Sequence, residues 1–349
     1  MPHAFLYYFF KQFGYCFKIL YIYNIYMYKN MKTLSVKNLN LGFNTEIGFR
    51  QALFDVSFEI KQGSMHALVG ESGCGKTMTA MSVLNLLPKT AVIKSGEIIF
   101  NNKNILNLTK KEMQDIRGSK IALIPQDPMT SLNPLFTVGN QLIEVIELHQ
   151  NLKGAEAKNK AIEALKTVQI PSAEERFNQY PHEFSGGMKQ RAIIAMALAC
   201  NAELIIADEP TTALDVTIQA QIMKLLSDIK KDFGTSILLI THDLALVNQY
   251  ADEVSVMYAG RIVENAQTKE FFTNTNHPYA KGLIKSLPEN KNKQLTVIEG
   301  HPPSINDEIS GCRFHNRCQF FMPNICDKTI PKLKLINSEH FSACFLNKN

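Results

Sequence analysis

Apolar and polar residues alternate from Leu34 (LSVKNLNLGF) and again from Ala52 to Ile60 (ALFDVSFEI). That period of two predicts a pair of antiparallel strands in a half-buried sheet. A different pattern follows. Met65 to Val69 is an unbroken apolar run, read as a buried strand, which breaks at Gly70 into a glycine-rich loop. Apolar residues then resume at helical spacing in KTMTAMSVLNLL, and Pro88 stops that helix. Gly96 to Phe100 (GEIIF), Ile121 to Ile124 (IALI), Glu203 to Ala207 (ELIIA) and Ser236 to Ile240 read as further strands, with a helix from Val216 to Lys231 between the last two. Thr137 to His149 and Ala155 to Val168 are amphipathic and separated by Gly154, with no strand signal between them. The pattern therefore predicts an α/β core with an antiparallel β subdomain and an inserted α-helical subdomain over about residues 130–195.

Chemistry gathers where the strands end. GESGCGKT, residues 70 to 77, has the spacing of a P-loop between strand and helix. In such a loop the backbone N–H groups of Gly70, Glu71, Ser72, Gly73, Cys74 and Gly75 can turn onto a phosphate, reinforced by the helix N-terminus. Lys76 would reach the β- and γ-phosphates and Thr77 would ligate Mg²⁺. This stretch predicts binding of a nucleoside triphosphate. Gln126 follows its strand directly, so its amide could meet Mg²⁺ or an attacking water, although a solvated loop Gln is the plainer alternative. Ser185, Gly186 and Gly187 open the helix of FSGGMKQR and make a second anion-binding N-terminus with Ser185 as cap. The strand ELIIA ends in Asp208 and Glu209, which suits Asp208 to hold Mg²⁺ through its water shell and Glu209 to take a proton from water. His242 emerges at another strand end, where contact with the γ-phosphate is the functional reading. Phe43 is equally suited to core packing and to stacking on an adenine.

Composition changes this picture little. Hydrophobic residues make up 45% of 349, ordinary for a globular protein. The net charge of +5 is inflated by Lys11, Lys18 and Lys29 in an acid-free segment, and it predicts no nucleic-acid partner. Residues 1–30 are crowded with Phe and Tyr and resemble nothing after them. Lys11, Gln12, Lys18 and Asn24 interrupt any membrane span, and no signal-peptide cleavage site is evident. The reading taken is a spurious extension ahead of a true start at Met31, with an interfacial aromatic anchor as the alternative. Seven cysteines without a secretory signal suggest a reducing compartment, and therefore thiol or metal chemistry before disulfides.

Together GESGCGKT, the Gln126 loop, FSGGMKQR, LIIADEP, the Ala213 to Asp215 turn and His242 resemble the ATP-binding subunit of ABC transporters over residues 34 to 265. PQDPMTSLNP, ADEPTTALDVTIQAQI, NHPYAKGLIKSLP and the tail motif GCRFHNRC narrow the resemblance to bacterial oligopeptide and dipeptide importers, a branch that also includes nickel importers. The resemblance implies an ATPase domain over 31–265 and a tail over 266–349. It implies a head-to-tail dimer with ATP between the P-loop of one subunit and Ser185 to Gly187 of the other. It further implies Glu209 as base, His242 as γ-phosphate switch, Asp215 as a cross-interface contact and Phe43 as the adenine-stacking aromatic. The partners implied are a second, different ATPase chain, two membrane permeases and an external solute-binding protein, with this chain peripheral on the cytoplasmic face of the inner membrane. Cys74 departs from the Ser common at its position. A soluble ABC ATPase acting on DNA or ribosomes is the competing class, but its coiled coil or second cassette is missing from this sequence.

Four cysteines remain: Cys312, Cys318, Cys326 and Cys344. They are spaced more widely than the pairs about two to four residues apart that begin structural zinc sites. Four thiolates also suit an iron–sulfur cluster, and relatives with a similar tail are known to hold a [4Fe–4S] group. Cluster, zinc and free thiols all stay open from the residues alone.

Overall fold

The computed structural model describes residues 31–46, 48–212, 214–287, 298–337 and 339–347; the reading of residues 1–30 lies outside them. Two sheets form the framework. The first, in the order β2-β1-β4-β5, is built from β1 (Lys32–Thr45), β2 (Gly48–Lys61), β4 (Ala91–Phe100) and the short β5 (Lys103–Asn104). All its pairings are antiparallel. The expected pair of strands is present and longer than the alternation suggested. β1 begins at Lys32, two residues before Leu34, because Thr33 is buried and its hydroxyl meets that of Ser236 at 2.8 Å.

The second sheet has eight strands, ordered β11-β12-β10-β9-β3-β8-β7-β6. Its centre comprises β3 (Met65–Val69), β6 (Ile121–Ile124), β7 (Leu204–Asp208), β8 (Ser236–Thr241) and β9 (Glu253–Tyr258). These five run parallel. Every residue of β3, β7 and β8 is buried, which is why they read as apolar runs and not as alternations. β10 (Arg261–Gln267), β11 (Lys334–Asn337) and β12 (His340–Ser342) extend the sheet antiparallel at one edge.

Helices cover both faces. α1 (Lys76–Leu84) and α2 (Lys110–Ile116) lie on the side of the first sheet, where Leu34, Leu41, Val83, Met113 and Leu238 share a core. α3 (Val138–Gln150), α4 (Ala155–Thr167), α5 (Gly186–Ala199) and α6 (Val216–Phe233) bring Leu142, Ala161, Ile194 and Leu226 into a second core with Ile205 and Leu239. α6 is bounded as its sequence demands. The Asp215 carboxylate accepts the Ile218 N–H at 2.9 Å to open it, and Gly234 at φ 69° closes it in the left-handed conformation. α3, α4 and α5 confirm a helical part between β6 and β7.

The tail does not stand apart. β10 runs across the 265/266 boundary at which the resemblance places the start of the tail, and β12 pairs with it. α7 (Leu244–Tyr250), α8 (Thr268–Thr273) and α9 (Pro278–Lys285) flank this edge, and Phe314 joins Tyr258, Tyr279 and Val256 in a third core. Glu264 pins the arrangement from within. Fully buried, its carboxylate accepts the Asn276 and His277 N–H groups at 2.8 and 2.7 Å and meets His340 Nε2 at 2.8 Å. A buried carboxylate is tolerable with three such partners. The tail thus shares the core and the sheet of the ATPase part.

Candidate nucleotide site

Register puts the candidate groups on one edge. Val69 lies beside Thr241, Asp208 beside Ile240, and Ile124 beside Ala207, so the carboxyl ends of β3, β8, β7 and β6 come level. The loop after β3, His242 after β8, Glu209 after β7 and Gln126 after β6 all leave from that edge. In open α/β sheets this is where ligands bind.

The loop of residues 70–75 is shaped by its glycines. A Cβ on Gly70 would stand 2.1 Å from the Met257 carbonyl oxygen, and one on Gly75, at φ 109°, would stand 2.6 Å from Leu53 Cδ2. Only glycine fits either place. Lys76 is buried and donates to the Gly70 and Glu71 carbonyl oxygens at 2.8 and 3.1 Å. Ser72, Gly73 and Thr77 are exposed, and the first N–H groups of α1 are free of intrahelical partners, as at any helix start. Cys74 is buried behind the loop, and burial raises its thiol above the ordinary range despite the Lys76 ammonium nearby.

The acidic pair faces the loop. Asp208 is 3% exposed, and its Oδ1 has no hydrogen-bond partner among the described residues. Burial raises its carboxyl above the usual range; the Thr77 hydroxyl and Lys76 ammonium oppose the rise and the Glu209 carboxylate adds to it. A buried, unpaired carboxylate oxygen beside an exposed threonine hydroxyl suits a hard divalent cation. Glu209 adopts φ 47°, its N–H donating to the Ile240 carbonyl at 2.9 Å. Its Oε2 accepts Gln126 Nε2 at 3.2 Å and the Thr212 hydroxyl at 2.9 Å, and its Oε1 lies 3.5 Å from His242 Nδ1. The His242 side chain is 63% exposed. Three candidates named from sequence, Gln126, Glu209 and His242, thus meet, Asp208 faces Thr77, and the structure adds Thr212, which the sequence does not single out.

Other candidates make their own local contacts. Phe43 is half-buried near the end of β1, packed on the core of the first sheet. Ser185 is exposed and caps α5, its hydroxyl accepting the Met188 N–H at 3.3 Å. Gly187 must be small, since a Cβ there would meet Ile218 Cγ2 at 2.7 Å. Among the described residues, no hydrogen bond joins Ser185, Gly186 or Gly187 to the loop of residues 70–77. Asp215 is exposed beyond its capping bond; Ala213 lies outside the described residues.

The tail cysteines converge without forming an evident metal centre. Cys312, Cys318, Cys326 and Cys344 line one small pocket together with Phe320, Met322 and Leu346, and all four are free thiols. Burial pushes the Cys312 thiol up to about 11, and its three neighbours contribute to the rise. Among the described residues, no group of three or more His, Cys, Asp or Glu side chains is disposed to hold a metal ion. Of the readings left open from sequence, the described residues show free thiols lining a shared pocket and no formed metal group.

A phosphate-binding loop and an acidic strand end facing each other across one sheet edge are the working parts of a P-loop nucleoside triphosphatase. Residues 53–212 match the family described as ABC transporter, and residues 263–326 match the oligopeptide/dipeptide transporter C-terminal region. A probable peptide ABC transporter ATP-binding protein of Sinorhizobium fredii is 48% identical over 316 residues, covering 89% of this chain and 94% of its own length. The dipeptide transport ATP-binding protein of Bacillus subtilis is 46% identical, covering 90% and 95%. A solved dimeric ATP-binding cassette bound to ADP and Pi superposes with a TM-score of 0.60 at 27% identity, covering 67% of this chain and 98% of that one. The chain belongs to the ATP-binding proteins of the ABC transporter family.

Proposed function

We propose that this chain is the ATP-hydrolysing subunit of an ABC importer that energises uptake of oligopeptides or dipeptides across the cytoplasmic membrane. The observation that carries the cargo class is the match of residues 263–326 to the oligopeptide/dipeptide transporter C-terminal region, in a chain whose peptide-transport relatives align along about nine-tenths of it. No helix among the described residues is long and apolar enough to cross a membrane. That fits a peripheral subunit on the cytoplasmic face, bound to two permeases and served by an external solute-binding protein, with no nucleic-acid partner. Residues 31–265 are assigned to the ATPase and 266–349 to the tail.

The site roles we propose are these. The loop Gly70 to Gly75, with Glu71, Ser72, Gly73 and Cys74 between, cradles the phosphates while Lys76 moves from its carbonyl partners to the β- and γ-phosphates. Thr77, Gln126 and Asp208 would hold Mg²⁺, whose chemistry when bound is to neutralise phosphate charge. Glu209, oriented by Gln126 and Thr212, takes the proton of the attacking water through Oε1, and His242 beside it contacts the γ-phosphate. Phe43 stacks on the adenine. Ser185, Gly186, Gly187 and Asp215 act across a dimer interface; among the described residues none of the first three hydrogen-bonds this chain's own loop.

Because each site then needs a second subunit, the chain alone is expected to hydrolyse ATP weakly. Mixing it with a distinct partner ATPase and the permeases in proteoliposomes, and measuring phosphate release, should raise the rate. Full, substrate-stimulated turnover with this chain as homodimer would contradict the two-chain arrangement.

A structural [4Fe–4S] cluster held by Cys312, Cys318, Cys326 and Cys344 is proposed on one observation, that the four free thiols line one pocket. Anaerobically purified protein should be brown, and Cys318→Ser should bleach it with nucleotide binding intact. Colourless protein free of iron by elemental analysis rejects the cluster; one zinc per chain replaces it with zinc.

A further inference from the structure

The tail reaches the P-loop. Arg317, next to Cys318, sends its guanidinium to the carboxylate of Glu71, with Nη1 donating to Oε2 at 2.7 Å and Nη2 to Oε1 at 3.0 Å. This is a fork-on-fork pair, the strongest geometry an ion pair offers. The Arg317 side chain is 6% exposed and Glu71 27%, so water screens the contact little. The guanidinium is itself held by tail backbone, with Nε donating to the Glu299 carbonyl at 2.9 Å and Nη2 to the Ile298 carbonyl at 3.3 Å.

A second grip acts on the same residue. The Glu71 N–H donates to the buried Tyr279 hydroxyl at 2.9 Å, and Tyr279 packs on Phe314 of the tail with ring centroids 5.4 Å apart. Glu71 is thus fixed through its side chain and its backbone. Its carbonyl is also one of the two oxygens that hold Lys76. The tail therefore sets the backbone that positions the phosphate-binding lysine.

We propose that Arg317 is a positioning residue for ATP: by holding Glu71 it keeps the P-loop in its binding shape, so ATP affinity depends on the docked tail. The linkage is reciprocal, and bound ATP holds the tail in place. The inference rests on residues 70–77 binding ATP.

A simple anchor between tail and core would cost stability when broken and leave the ATP affinity of the folded protein unchanged. A positioning contact changes affinity. The test is titration of the full chain with a fluorescent ATP analogue, with folding checked by circular dichroism. Arg317→Ala and Glu71→Gln should each weaken binding by roughly tenfold, the double variant should be no weaker than either single one, and Arg317→Lys, which keeps the charge and loses the fork, should fall between. If Arg317→Ala does not fold, Glu71→Gln and Arg317→Lys carry the comparison. Wild-type affinity in folded variants, or fully additive losses, overturns the proposal. Failure of the wild-type chain itself to bind would instead reject the nucleotide-site reading.

Discussion

Glu209→Gln should bind ATP with near wild-type affinity and lose hydrolysis by roughly 100-fold or more, the scale of a general base. The two functions rest on different groups. Binding depends on the loop N–H groups and Lys76, none of which the substitution touches, whereas proton removal needs the carboxylate that Gln126 and Thr212 hold in place. An amide at this position keeps the size of the side chain and cannot accept the proton. The variant should therefore accumulate with ATP bound, visible as retained unhydrolysed nucleotide in a filter-binding assay. Turnover at the wild-type rate would remove Glu209 from the role of base.

Lys76→Ala should lose binding and hydrolysis together. The Lys76 ammonium is the buried cation of the loop, and two charge-assisted hydrogen bonds to phosphate amount to about 3 kcal/mol, roughly 100-fold in affinity. In the absence of nucleotide the same ammonium satisfies the Gly70 and Glu71 carbonyls, so its removal also leaves loop oxygens without their donor. Calorimetric titration with ATP checks the affinity, and a melting temperature near wild type would show that the loss is local. Wild-type affinity in Lys76→Ala would mean that the phosphates sit elsewhere.

The nucleotide edge was legible because its signals are local. A buried strand announces itself as an apolar run, and the residue that leaves it at the carboxyl end is the next one in sequence; Asp208 and Glu209 after ELIIA, and His242 after the strand from Ser236, follow that rule. The tail was not legible for the opposite reason. Arg317 and Glu71 stand 246 positions apart, and no pattern around either names the other. Glu264, a charged residue in β10, gives no sign in sequence of being fully buried, since its partners come from residues 276, 277 and 340. β11 and β12 are too short for a period to register. Thr212 was within reach: a hydroxyl three residues after a strand-end carboxylate can hydrogen-bond it when the chain turns, as here at 2.9 Å. The dimer contacts proposed for Ser185 and Asp215 would lie between chains, so one chain shows only their helix-capping bonds.

The central claim, that ATP hydrolysis at this site drives peptide import, is tested most directly by uptake of a labelled peptide into proteoliposomes. These would contain this chain, its partner ATPase and both permeases, with loaded binding protein on the opposite side from ATP. The account predicts ATP-dependent accumulation that Glu209→Gln abolishes while the complex stays assembled. Accumulation that persists with Glu209→Gln, or a wild-type complex that hydrolyses ATP and moves no peptide, would contradict it.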